Sequence, residues 1–242
     1  MHSLLKCTII RILKTQITMA TAKKNQEAQI QEPQDFKTRI KKNPIISSIV
    51  GIIVLAAIVF IGVYLYNKHV DSNNQEAATK LAKGQDYFAK GQFDQALNGD
   101  NAGYPGFIKI AAQYSSTKSG NLANLYAGLA YYYKADYDKA IKYLEDFDAQ
   151  DDEFISANGI AALGNCYAIK GNTDKAIDLL KKAAKHADNP IVSPYCLIQA
   201  GILLEKQNKN KDALELYQEV KTKYPQSAEA ADIEKYIQKV SE

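Results

Sequence analysis

Glycines 84, 128, 164 and 201 each stand in the same local pattern, and that recurrence narrows what the chain can fold into. Gly84 is followed by Tyr87, Gly91, Phe93 and Ala96, and Gly128 by Tyr131, Ala135, Tyr137 and Ala140. Leu163-Gly164 leads to Tyr167, Gly171 and Ala176, and Ala200-Gly201 to Leu204, Asn208, Asn210 and Ala213. The glycines are spaced 44, 36 and 37 residues apart. A period of this size, on segments with helical spacing of apolar residues, describes stacked helix pairs that bury their faces against one another. Each glycine leaves room where the second helix of a pair crosses the first. Ala96, Ala140, Ala176 and Ala213 leave the matching room on the second helix, and Tyr87, Tyr131, Tyr167 and Leu204 fill the space around each crossing.

The punctuation agrees. Gly91 and Gly171 are placed to take positive φ after a first helix. Ser193-Pro194 reads as a helix start, with Ser as cap and Pro in the first turn. After Pro225, Ser227 caps a last helix from Ala228 to about Val240. Its residues Ala230, Ile233, Tyr236, Ile237 and Val240 form one apolar stripe, which suits a helix covering the open end of a stack. The first unit departs most. Its second helix is interrupted by Asn98-Gly-Asp-Asn-Ala-Gly-Tyr-Pro-Gly106 and resumes over Phe107–Tyr114.

These residues resemble the tetratricopeptide repeat (TPR), a helix–turn–helix unit of roughly 34 residues. Four in-phase copies over about 150 residues carry the resemblance, with Pro225 at the family's closing proline and other residues at its tryptophan position. The resemblance implies a groove lined by the first helices. Its positions here are Leu81, Gln85 and Phe88; Leu122, Leu125, Leu129, Tyr132 and Tyr133; Asn158, Ala161, Asn165 and Ile169; and Tyr195, Ile198, Ile202 and Lys206. Family members that grip acidic C-termini line the groove with Lys and Arg, and only Lys206 fits that pattern here. The lining therefore suits an apolar or extended partner segment, or a cover from the chain itself, since groove and core share one helical period.

Ahead of the repeats, Ile45 to Tyr66 is an uncharged run of 22 residues. As a helix it measures about 33 Å, enough for a hydrocarbon core of about 30 Å. Tyr64 and Tyr66 sit at one end, where aromatic rings favour the interface. Residues 1–43 hold nine basic and three acidic side chains, with Lys37, Arg39, Lys41 and Lys42 next to the span. Basic flanks stay on the cytoplasmic side, so the N-terminus is expected inside and the repeats outside, in a bacterial cell the periplasm. No small-residue cleavage site follows the span, which reads as an anchor. Residues 1–18 are either a basic interfacial helix or an extension ahead of a start at Met19. The expected fold class is thus all-α: a cytoplasmic basic tail (1–43), one transmembrane helix (44–66), a TPR α-solenoid of about four helix pairs (67–226) and a capping helix (227–242).

Several chemistries are disfavoured. Beyond residue 66 there are 21 Lys, no Arg and 24 acids, which argues against nucleic acid. Cys7, Cys166 and Cys196 form no metal or disulfide pattern, and His2, His69 and His186 complete no catalytic set. The run Glu145-Asp146-Phe-Asp148-Ala-Gln-Asp151-Asp152-Glu153 lacks the ligand rhythm of a calcium loop. It reads as a solvated linker in which Asp151 or Asp152 caps the next helix. No enzyme, cofactor, metal or small-molecule substrate is expected; the partners are proteins, and the membrane through one helix.

Two further stretches resemble the ancillary subunit type of the bacterial SecYEG translocon (YfgM-like): Ala96-Leu97-Asn98-Gly99-Asp100 with Gly106-Phe107, and Tyr114-x-x-Thr117-Lys118-x-Gly120-Asn121-Leu122-Ala123. That resemblance implies a periplasm-facing protein that contacts the Sec translocon and passes unfolded secretory chains to periplasmic chaperones. The rival readings are an envelope scaffold assembling a different membrane complex, and an accessory subunit of an enzyme.

Overall fold

A computed structural model describes residues 44–241. The tail of residues 1–43, Cys7 included, lies outside the described residues. The chain divides into two compact units, Met1–Leu65 and Tyr66–Glu242.

In the first unit, the described residues belong to helix α1, which starts at Pro44 and ends at Ala89. Ile45, Ile52 and Phe60 are 69%, 66% and 74% exposed, so the apolar run is not the buried core helix of a soluble domain. It is long and apolar enough to cross a membrane. The boundary expected after residue 66 falls inside an unbroken helix. Residues 67–76 contain neither Gly nor Pro to stop it.

In the second unit, α1 is followed by α2 (Phe93–Asn98), α3 (Phe107–Gln113), α4 (Lys118–Tyr133), α5 (Tyr137–Glu145), α6 (Ile155–Ile169), α7 (Thr173–Ala187), α8 (Ser193–Lys206), α9 (Asn210–Lys223), a 3-10 turn (Glu229–Asp232) and α10 (Ile233–Ser241). Consecutive helices pack on one another: α3 on α4, α4 on α5, and so on to α9 on α10. The core runs through these contacts. Leu81, Leu97, Phe107 and Ile110 fill the first part, Leu125, Leu144 and Phe147 the second, and Leu180, Leu197, Tyr217 and Val220 the last. Each such buried side chain contributes about 1.5–3 kcal/mol.

The glycines do sit at crossings. A Cβ on Gly164 would lie 3.1 Å from Leu180 Cγ and 3.3 Å from the Ala176 carbonyl, and one on Gly128 would lie 2.6 Å from Leu144 Cγ. At Gly201 it would run into the Tyr217 ring. Gly84 is different, because it faces Tyr104 within the interruption and Phe107 just after it. The inserted segment thus fills the crossing that the short α2 leaves open. Tyr104 is buried and donates its hydroxyl to the Ala96 carbonyl at 2.8 Å. Asp100 pins the loop. Its Oδ2 accepts from Lys83 Nζ at 2.7 Å and Tyr87 OH at 2.6 Å, and its Oδ1 from the Tyr104 and Ala102 amides at 2.8 and 2.9 Å. These donors, Lys83 first, hold the Asp100 carboxyl far below the usual carboxylate range.

Every turn inside a pair uses one positive-φ residue, seven places after the glycine: Gly91 (69°), Ala135 (58°), Gly171 (81°) and Asn208 (59°). Ala135 is the costly one, since its Cβ crowds the carbonyl in this region. Ser193 is not the cap of α8. Val192 precedes the helix, while Asn189 Oδ1 accepts from the Ile191 and Val192 amides at 3.0 and 2.9 Å. Ser193 Oγ turns inward instead, donating to the Ala184 carbonyl at 2.8 Å. Asp152 does start α6, accepting from the Ser156 amide at 3.0 Å and its hydroxyl at 2.6 Å. Ser227 accepts from the Ala230 amide at 3.2 Å, yet the last segment opens as a 3-10 turn and becomes α-helical only at Ile233.

A ladder of polar rungs links successive pairs. Asp94 receives Lys134 at 2.6 Å, Asp138 receives Lys170 at 2.9 Å, and Asp174 receives Gln207 Nε2 at 2.8 Å with Lys209 at 3.8 Å. Each acid stands two residues before the alanine of its pair; in the fourth pair that place holds Lys211. Exposed rungs like these contribute at most about 1 kcal/mol each.

Candidate functional site: a strip of aromatic rings

Phe88 near the end of α1 packs edge-on against Phe93, Tyr126 and Tyr133, with centroids 5.5, 5.4 and 5.8 Å away. Phe93 and Tyr133 stack at 5.4 Å with planes 7° apart. Tyr132 continues the series, 5.7 Å from Tyr133 and 5.9 Å from Tyr137. On the following first helices, Asn165 Nδ2 donates to the Tyr195 hydroxyl at 3.2 Å. Burial raises the Tyr132 hydroxyl, and the nearby Tyr195 phenol adds to the shift, so α4 and α8 both reach this face. The strip therefore draws on four successive first helices, α1, α4, α6 and α8.

The positions assigned to the groove divide three ways. Tyr133, Ile169 and Tyr195 are 62%, 52% and 41% exposed, and Asn158 and Lys206 are exposed as well. Gln85, Phe88, Leu122, Leu129, Tyr132, Asn165 and Ile202 are half-buried. Leu81, Leu125, Ala161 and Ile198 are buried among core residues, so these four hold helices together and present no surface. Phe93 and Tyr126 join the rings although the groove assignment omitted them. Tyr126 lies two helical turns before Tyr133 on one face, a spacing that points to it.

Phenol hydroxyls, amides and aliphatic carbons make up the assigned positions, with Lys206 as their charged member, and the paired Asp94 and Lys134 are the chain neighbours of Phe93 and Tyr133. Such a surface buries apolar side chains while offering hydroxyl partners to a peptide backbone. It carries no acid–base pair for proton transfer. Cys166 and Cys196 are buried, and burial pushes their thiols up to about 11 and about 12, so both stay protonated at neutral pH. Among the described residues, no group of three His, Cys, Asp or Glu is placed to hold a metal ion. A cleft of about 690 Å³ beside α7 and α9 mixes Lys181, Lys182 and Lys185 with Asp178 and Glu219 at its rim, which gives it no single sign of charge.

Comparison with curated proteins gives no match. Among solved structures, the fold is similar to that of nearly identical TPR-like repeats from Podospora anserina, described as a kinesin light chain. The TM-score is 0.52 at 13% identity, over 69% of this chain and 85% of that one. A likeness at this identity concerns the fold alone. Residues 40–241 match the family model of the tetratricopeptide repeat-like domain, a range that holds all four helix pairs and the closing helix. The chain belongs to that family, whose fold serves as a scaffold for protein–protein interaction.

Proposed function

We propose that the chain is a membrane-anchored adaptor whose repeats face the periplasm and hold an uncharged, extended polypeptide segment along the strip of Phe88, Phe93, Tyr126, Tyr132, Tyr133 and Tyr195. The observation that carries this reading is the run of packed rings, edged by accessible hydroxyl and aliphatic groups, whose chain neighbours Asp94 and Lys134 are paired with each other. Rigid aromatic side chains bind extended backbone at low entropic cost. The apolar run of α1 supports an anchor in a bacterial inner membrane, and the basic residues before it support an N-terminus in the cytoplasm. The resemblance to the ancillary translocon subunit supports secretory chains emerging from the Sec channel as the occupants, with channel subunits and periplasmic chaperones as neighbours.

Photo-crosslinking from positions 133 and 195 in living cells tests the reading. Crosslinks to many nascent secretory chains, or to channel subunits, are expected. One stable partner unrelated to secretion would instead make the protein a fixed scaffold of a different membrane complex.

A further inference from the structure

A second apolar surface lies at the opposite end of the first helices from Tyr133 and Ile169. Among the described residues outside the apolar run of α1, the large apolar side chains that stand exposed are Tyr133, Phe154, Ile155, Ile169, Ile191 and Tyr195. Tyr195 turns its hydroxyl to Asn165 and belongs to the ring strip. Three of the others sit at the start of α6 and in the loop before α8: Phe154 at 46%, Ile155 at 48% and Ile191 at 66%. The two loops that carry them are tied together. Asn189 Nδ2 donates to the Glu153 carbonyl at 3.2 Å, and His186 Nε2 meets the Asp152 carbonyl at 2.9 Å. Phe154, Ile155 and Ile191 are therefore displayed on one built edge rather than on independent loops. Helix α6 has 15 residues, so this edge is about 20 Å from Ile169 at the helix's other end.

The linker that carries Phe154 is acidic. Its exposed Asp148, Asp151 and Glu153 have no lysine within ion-pair distance. Lys182 shares a cleft of about 510 Å³ with Asp148 and His186, and it reaches none of these acids. An apolar centre beside three carboxylates without an ion-pair partner is complementary to an apolar segment that carries Lys or Arg at its ends.

We propose that the edge formed by Phe154, Ile155 and Ile191 docks a partner segment of that chemistry: a short apolar stretch flanked by basic residues. The aliphatic and aromatic side chains bury the stretch, and the acidic linker between α5 and α6 steers and orients its basic ends. This surface is separate from the ring strip and does not depend on what the strip holds.

The test uses the full chain in nanodiscs of zwitterionic lipid. The probe is a short, water-soluble, fluorescent peptide with a Leu/Ile centre and lysines at both ends, read by anisotropy against empty discs. Saturable binding is expected. Replacing the flanking lysines by glutamates should weaken it about tenfold or more, and so should the pair Phe154→Ser with Ile191→Ser. Both substitutions are at exposed positions, and an unchanged circular dichroism melt will show that the fold survives them. Tyr133→Ala should leave this binding as it was. Equal binding of the glutamate peptide, or full binding by the Phe154/Ile191 variant, overturns the proposal. So does loss of binding in Tyr133→Ala alone, which moves the peptide to the strip and leaves the adaptor reading standing. Self-association of the full chain that Ile191→Ser abolishes would assign the edge to a second copy and overturn it too.

Discussion

In the third helix pair, Gly164 meets the Leu180 and Leu179 side chains and the Ala176 carbonyl, and no charged side chain takes part. In the first pair, Gly84 meets Tyr104 and Phe107, and the segment that brings them there is held by Asp100 through Lys83, Tyr87 and two backbone amides. Both pairs keep the same frame of glycine, turn and alanine. One is closed by shape and the other by shape plus a charged pin. The difference shows that the frame specifies where two helices must approach but not which part of the chain fills the gap.

Substitutions at the two glycines separate these modes most sharply. Gly84→Ala should cost about 3 kcal/mol, because the new methyl meets the buried Tyr104 and Phe107 rings, and overpacked cores lose this much. Gly164→Ala should cost about 1 kcal/mol or less, since 3.1 Å to a leucine branch is relieved by a small shift. Thermal melts by circular dichroism measure both, and equal losses would break the contrast.

Asp100→Asn tests the pin. Its carboxyl is held below the ordinary value, near 3.9 for an aspartate. The stabilisation it provides is therefore present above about pH 4 and is lost as the pH falls further through the folded-state value. The wild type should lose amide protection across residues 98–110 on acidification over that window. Asp100→Asn should start with lower protection there and show little further loss, and residues 155–187 should behave alike in both proteins. Hydrogen exchange followed by mass spectrometry reads all three.

Ala135→Gly should stabilise by about 1 kcal/mol, since the exposed Ala135 takes the conformation that Gly91 and Gly171 take without a Cβ. Smallest of all on stability is Tyr133→Ala. It removes one stacked and two edge-on contacts of a largely exposed ring, about 1 kcal/mol, and should reduce capture of the partner far more than it lowers the melting temperature.

Much of this was legible before any coordinates. The glycine–tyrosine–alanine period places the four pairs, and Asp152 accepts amides at the start of α6, whereas Ser227 accepts an amide of a 3-10 turn and caps no helix from Ala228. Ser193 misled, because a serine ahead of a proline looks like a cap whether or not its hydroxyl turns inward, and the long-range partner, the Ala184 carbonyl, leaves no local trace. Tyr104 escaped for the same reason: its burial depends on a gap created by the shortness of α2. The aromatic strip was half visible. Tyr132 and Tyr133 announce themselves, whereas Leu81, Leu125 and Ile198 lie one stripe away on the same helices, and a period of 3.6 does not say which stripe faces the neighbouring helix.

The rungs from Asp94, Asp138 and Asp174 to the turn of the following pair share one sense, and Lys211 of the fourth pair breaks it. Exchanging the second and fourth pairs would set Lys211 opposite Lys170, cation against cation, while Asp174 facing Lys134 would keep an acid–base rung. A shuffled version with the fourth pair inside the stack would thus inherit one repulsive junction whose apolar surfaces still fit. The place of the last module is marked in surface charge, by a single residue that a count of helices would never disclose.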